Sequence, residues 1–403
     1  MKRFVILSLI AALLAGTWTA FAATKAEPAP ALAQKETKSG GSSSPGIAAA
    51  QALSTITGVA ISPLLGVSAV GAWTYFETPK EKRGQLSWYA QPWFWLSAFV
   101  LVGLCFAKDT VGTALPTVLK KPLDIADAVE NKISGLVAVG AFVPMVASVF
   151  PDLVSNEQAS IAAPWFMAVI NPAGLLNFIL IPIAMISFII VWLAAHSINI
   201  LILLSPFTTV DAALKSFRLF LLSLVAGGSM MDPKIGAAIS LIIIFIAYFI
   251  AGWSFRVTTL GSVYIWDVLA LRRTRTIPQK DSVWGFLSAE ISKVPIRTYG
   301  KLTRDAAGRL VFEYRPWLVL PKRTLVLPTG DYAVGKGLIS SFIVKEEGEN
   351  EHEVLTLPPR YRTHEEAVSR VYELKGVRDI GIMKGFKAVI TALFGGHPDT
   401  AAV

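Results

Sequence analysis

Apolar and polar positions are segregated along this chain in blocks far longer than the period of one helix or strand. Charged side chains are sparse from Ile133 to Gly252, whereas beyond Arg272 almost every second or third residue is polar or charged. Hydrocarbon takes about 20 apolar residues of helix per crossing. Pro92 to Ala107, Ile133 to Phe150 and Ile235 to Trp253 meet or nearly meet that length, and Gly174 to Leu204 exceeds it. Leu214 to Ala226 is shorter and starts with Lys215 and Arg218. Gly46 to Phe76 is interrupted by Gly58, Pro63, Gly66 and Gly71. About six candidate membrane segments result.

Ahead of them, Lys2 and Arg3 precede an apolar run, Phe4 to Gly16, and the small residues Ala20 and Ala22 flank Phe21. That is the layout of a secretory signal cleaved after Ala22. Residues 23–45, rich in Ala, Pro, Ser and Gly, read as a flexible linker. Basic residues set orientation. The loop from Pro151 to Pro164 has no Lys or Arg, which suits the outside of a bacterial inner membrane. Lys108, Lys120, Lys121, Lys132 and the cluster Arg272-Arg273-Thr274-Arg275 suit the cytoplasm. A cleaved signal and a cytoplasmic carboxyl-terminal domain agree only if one segment fails to cross. Gly46 to Phe76, bent near Ser62-Pro63, is that segment.

The expected fold is a mainly α-helical integral membrane bundle over residues 46–265 with a small C-terminal α+β soluble domain over 266–403. In the latter, Arg309 to Leu320, Arg323 to Leu327, Leu338 to Lys345 and Glu353 to Leu357 read as strands. Thr363-His364-Glu365-Glu366 reads as a capping box opening a helix. Ile380 to Phe394 is an amphipathic helical stretch.

Composition sharpens this picture. The chain is 53% hydrophobic and 16% charged, too poor in charge for a single soluble domain of its 403 residues. The single cysteine, Cys105, rules out a disulfide scaffold within the chain. A net charge of +9 is better explained by cytoplasmic loops and anionic lipid than by nucleic acid, for which no reading motif is present. No Ser-His-Asp or Cys-His arrangement stands out, so no enzyme, cofactor or resident metal is expected. Gly330 to Lys336 imitates a phosphate-binding loop. Gly337 stands where Ser or Thr is required, and strand rather than helix follows, so this segment reads as a hairpin turn.

The chemistry that the sequence offers lies in the apolar part. Ser62-Pro63 and Ser205-Pro206 each interrupt an apolar segment, one in each half. Paired breaks of this kind expose backbone groups that a solute can use. His196 and Asn199 lie three residues apart on one helix face, with Asn177 and Ser187 further back. Polar groups at that depth either line a passage or hold helices together. Asp127 and Glu130 share a helix face, which fits an interfacial helix better than a metal site.

Over residues of about 46–251 the chain resembles an uncharacterised bacterial multi-pass membrane protein family known only as a domain of unknown function. The break at Ser62-Pro63, then His196, Ser205-Pro206 and Asp211 in that order, matches the family's pattern, as does the acidic stretch from Lys108-Asp109 through Asp124 to Glu130. Ile198, Ile200 and Leu201 replace basic positions usual in the family. The resemblance implies a membrane protein and carries no activity. Two functions are consistent with these readings. One is passage of a small solute or ion past Ser62, Pro63, His196, Asn199, Ser205, Pro206 and Asp211. The other is a membrane-anchored scaffold whose soluble domain binds a protein or lipid partner.

Overall fold

A computed structural model describes residues 45–112, 130–142, 172–205, 208–275, 278–279, 283–337, 340–347 and 350–379. The signal, the linker up to residue 44, Asp124 and Asp127, the loop Pro151 to Pro164, Pro206 and the stretch Ile380 to Phe394 lie outside the described residues. The helical part contains α1 (Pro45–Ile61), α2 (Pro63–Glu77), α3 (Pro92–Gly112), α4 (helical residues 130–142), α5 (Pro172–Leu204), α6 (Thr208–Met231), α7 (Pro233–Leu269) and the single turn α8 (Arg272–Arg275). Five of these starts have a visible cause. Proline opens α1, α2, α3, α5 and α7, where its missing N–H would be unpaired in any case. The Asp232 carboxylate also accepts from the Lys234 amide at 2.7 Å and caps α7.

The expected bundle of about six crossings is not found among the described residues. Among the described residues only Pro182–Leu204 within α5 and the whole of α7 are long and apolar enough to cross a membrane. The reasons are local. Ser62, at φ −139° and ψ 87°, breaks the first apolar segment into helices of 17 and 15 residues, below a bilayer's thickness. The bend is sharp, because a Cβ on Gly66 would lie 2.6 Å from Val59 Cα. A straight helix would hold residues seven apart at about 10 Å. In α3 the apolar run ends at Lys108-Asp109. Helix α6 carries Asp211, Lys215 and Arg218 in its first half. The two qualifying helices differ in setting. The most apolar window of α5 is 61% buried against protein, whereas that of α7 is only 22% buried. Helix α7 thus offers a broad apolar face, including the exposed Ile242, Phe245 and Phe249. Together they are compatible with membrane association.

The second correction is that the carboxyl-terminal part is a substantial sheet. Its strands are β1 (Trp284–Leu287), β2 (Tyr299–Arg304), β3 (Leu310–Tyr314), β4 (Arg323–Val326), β5 (Asp331–Lys336), β6 (Ser341–Glu347), β7 (Asn350–Leu357) and β8 (Val377–Asp379), in the order β4-β3-β2-β1-β7-β6-β5-β8. All neighbours are antiparallel except β5 and β8. Hairpins build each half, and the β1–β7 pairing (Phe286 opposite Thr356) joins them. Leu287, Leu302, Phe312, Val334, Ile343 and Leu355 form the core of this sheet, with Val368 and Tyr372 from α9 (Glu365–Val371) and its end packed onto it.

Three local readings also change. Arg309 to Leu320 is not one strand: β3 stops at Tyr314, and Trp317 and Leu318 adopt left-handed φ of 54° and 61°. Gly330 to Lys336 is no turn, since Asp331–Lys336 is β5 itself. The capping box does not form, as His364 occupies the N-cap without a side-chain bond, and Glu365 instead accepts from Ser341 Oγ at 2.7 Å.

One strand residue makes the sheet sensitive to pH. Glu353, opposite Val344 on β7, is pushed up to about 7 by burial from an ordinary 4.5. Between those values the folded state holds a proton that the unfolded chain releases, so stability falls as pH rises from about 4.5 to about 7. Glu353→Gln is expected to flatten this slope and to exceed the native chain by about 2–3 kcal/mol at pH 8. Urea unfolding at pH 5 and pH 8 checks it, and parallel pH dependences in both proteins would contradict it.

Candidate functional site

The residues suggested for a passage separate into contacts between helices. Ser62 lies at the α1–α2 break, where its carbonyl accepts from the Gly66 amide at 2.7 Å and Pro63 begins α2. His196 on α5 is fully buried, stacked on Trp192 with ring centroids 5.2 Å apart, and its Nδ1 lies 2.8 Å from Asn131 Oδ1 on α4. Asn199 accepts from Arg218 Nη1 of α6 at 2.8 Å, and Arg218 Nε donates to the Ile61 carbonyl at 3.1 Å. Ser205 is buried at the end of α5, and Asp211 is buried in the first turn of α6. Pro206 lies outside the described residues. The structure therefore brings Asn199 to the Ser62-Pro63 break through Arg218. His196 is engaged separately by α4.

Arg218 was legible only as a charge that weakens a span. In the fold it joins α1, α5 and α6 by satisfying a carbonyl freed at the helix break. A carbonyl released in this way needs a donor when no water reaches it. These pairs hold helices to one another, which is one of the two roles expected of polar groups in such a place. Among the described residues no group of three or more His, Cys, Asp or Glu side chains comes together in a way that could hold a metal.

A different site appears where α7 meets the sheet. The later part of α7, the loop before β2 and the loop between β3 and β4 enclose a cavity of about 210 Å³. Its walls carry five cations: Arg256 from α7, Lys293 and Arg297 from the first loop, and Arg315 and Arg323 from the two ends of the second. Aromatic rings fill the spaces between them. Trp317 packs on Phe255 at 4.8 Å, and the Arg297 guanidinium sits 5.8 Å from the centre of the Trp253 ring. Arg297 is 2% exposed. Burial, reinforced by the neighbouring Arg256 charge, pulls its guanidinium down to about 10, so it keeps its charge at neutral pH. Arg256 Nε is buried with no hydrogen-bond partner among the described residues. Glu290, in an exposed position, acts on Arg256 by partly offsetting what burial does to that guanidinium.

The backbone around the cavity is strained. Lys293, Arg297, Trp317 and Leu318 all have φ between 47° and 64°, in the left-handed region. Each such residue costs of order 1–3 kcal/mol and persists only where its surroundings over-determine it. Beyond Trp317 the chain Trp317-Leu318-Val319-Leu320 stands out from the sheet between Pro316 and Pro321, with Val319 81% exposed. This apolar tip is level with Gly252 of α7, whose missing Cβ would be 4.0 Å from Trp317.

The cavity keeps its shape because α7 is tied to the sheet. Asp267, fully buried near the end of α7, receives Arg360 Nε at 2.8 Å and the Arg360 amide at 3.2 Å, with Arg272 at 3.7 Å on its other oxygen. Tyr264 of α7 hydrogen-bonds Ser340, and His364 Nε2 lies 2.8 Å from the Arg273 carbonyl. None of these pairings has a local sequence motif. No known protein family, curated protein or solved structure matches the chain.

Proposed function

We propose that this chain is a membrane-anchored protein whose sheet domain is held flush against the bilayer surface and engages lipid there. The observation that carries this reading is the exposed Trp317–Leu320 tip at the height where α7 leaves its apolar stretch. From Ile235 to Phe255 the helix has no charged residue, and Arg256 is the first. About 20 residues of helix match the hydrocarbon thickness, so Gly252 and the tip beside it fall at the boundary between acyl chains and headgroups. Tryptophan is favoured at that depth, and flanking Arg and Lys favour anionic headgroups. Arg315, Lys322 and Arg323 flank this tip. The basic cluster Arg272–Arg275 at the end of α7 supports the cytoplasmic side of a bacterial inner membrane for the sheet.

Depth-dependent quenching tests the reading in the full chain. With Cys105→Ser as background, a bimane label on Val319→Cys is compared with one on Val377→Cys, which belongs to β8 at the opposite edge of the sheet from β4. In vesicles of phosphatidylcholine and phosphatidylglycerol, brominated acyl chains are expected to quench the label at 319 and spare that at 377. Equal quenching at the two positions would remove the basis for a lipid-seated tip.

A further inference from the structure

We propose that the cavity between α7 and the sheet is a binding site for a phosphate-bearing anion, the chemistry shared by a phospholipid headgroup and a soluble phosphate ester. Three separate segments of chain deliver Arg256, Lys293, Arg297, Arg315 and Arg323 to one space of about 210 Å³. Like charges gathered this closely repel one another, and the acidic group that acts on Arg256, Glu290, is exposed. A bound anion resolves both the repulsion and the unmet donor, because Arg256 Nε is buried with no hydrogen-bond partner among the described residues. Guanidinium groups are suited to this task, since their planar donors pair bidentately with phosphate oxygens. The left-handed backbone at Lys293 and Arg297 fits the same purpose, as it is strain retained at two of the five residues that supply cations. Tyr299 adds a neutral donor, because burial raises its hydroxyl above the ordinary value and keeps the proton on it.

The site is large enough for a phosphate group with a small substituent and has Trp317 and Leu318 at its wall. An acyl chain leaving the cavity would therefore meet the apolar tip directly. That continuity favours a lipid as the source, and in this respect alone the inference rests on the membrane-contact reading. The anion site itself rests on the cations and the cavity.

Binding is measured on the full chain in a neutral detergent, using inorganic phosphate and glycerol 3-phosphate as soluble probes. Nanodiscs of phosphatidylcholine with or without phosphatidylglycerol supply the lipid arm. Both soluble probes are expected to bind, with affinity about tenfold lower in Arg315→Gln and in Arg323→Gln, the loss of one charge-assisted contact each. These two residues lie at the cavity's rim, and an unchanged melting temperature confirms that the variants are folded. Arg256→Gln should lose more. Retention of phosphatidylglycerol over phosphatidylcholine, competed by glycerol 3-phosphate, identifies the source as lipid. Soluble binding without lipid competition keeps the site and assigns it to a free phosphate ester. Absence of binding by every probe, or equal affinities in native chain and folded variants, overturns the proposal. Quenching at position 319 does not depend on any of these results, so the two readings fail separately.

Discussion

Replacing Arg360 by methionine is expected to lower the stability of the full chain by about 3–5 kcal/mol, the cost of stranding a buried carboxylate. The Asp267 side chain is wholly inaccessible, and that of Arg360 is 6% exposed. Once the guanidinium is gone, Asp267 keeps the amide of residue 360 and Arg272, whose Nη1 is 3.7 Å away on a side chain that is 40% exposed. Neither replaces a bond of 2.8 Å in a dry setting. The pair Asp267→Leu with Arg360→Met should recover most of the loss, because a buried ion pair and a well-packed apolar pair are often close in free energy. Urea unfolding in detergent, followed by near-ultraviolet circular dichroism, measures both. Because α7 and the sheet each supply cations to the cavity, Arg360→Met should also weaken phosphate binding with no change in the cavity's own residues. A single substitution with less than about 1 kcal/mol of effect would mean that the sheet is fixed to α7 by other contacts.

Parts of this architecture are legible in the sequence for definite physical reasons. Ile235 to Trp253 reads as a span because hydrocarbon tolerates so few residue types, and α7 contains it. Arg323 to Leu327 and Glu353 to Leu357 are β-branched or apolar runs with punctuation at their ends, and they correspond to β4 and to the second half of β7. The count of crossings fails because hydropathy records apolarity and not unbroken helix. Ser62 divides one segment, and the charges Asp211, Lys215 and Arg218 lie along another. Trp284–Leu287 and Tyr299–Arg304 went unread as strands. They are short, each holds a glycine, and their register is set from outside, β1 by Leu355 and Thr356 some 70 residues later. Pro316 to Leu320 misleads in the opposite sense. Its apolar residues continue the alternation of β3, yet left-handed φ at Trp317 and Leu318 turns them outward.

The candidate sites differ in the same way. His196 and Asn199 are visible as polar residues on one helix face, but their partners Asn131 and Arg218 come from other helices. The cavity has no sequence motif, since its five cations are scattered from Arg256 to Arg323 and each, taken singly, resembles an ordinary surface charge. A clue was present in the pairing of Arg315 and Arg323 around an apolar tip bounded by Pro316 and Pro321. In a solvated loop that tip has no reason to be apolar.

Phe312→Ala should cost about 3–5 kcal/mol and stand at the upper end of what large-to-small substitutions give. Phe312 is fully buried on β3, paired with Leu302, with its ring over Gly300 of β2. A Cβ on Gly300 would come 2.5 Å from the ring, so the glycine exists to admit it. That complementarity prevents relaxation. Most cores shrink around a deletion by moving a neighbouring side chain, but Gly300 has none to move, and its backbone is pinned opposite Tyr314. The empty volume therefore remains, and its lining loses dispersion contacts outright. Phe312→Leu, which keeps most of the volume, should cost well under half as much. The effect should reach the cavity too, because Tyr299 and Tyr314 line it from the strands that Phe312 holds together. Unfolding midpoints for the two variants, read by tryptophan fluorescence and by far-ultraviolet circular dichroism, check the ordering. Equal losses in the two variants would show that Gly300 is not closed by this ring.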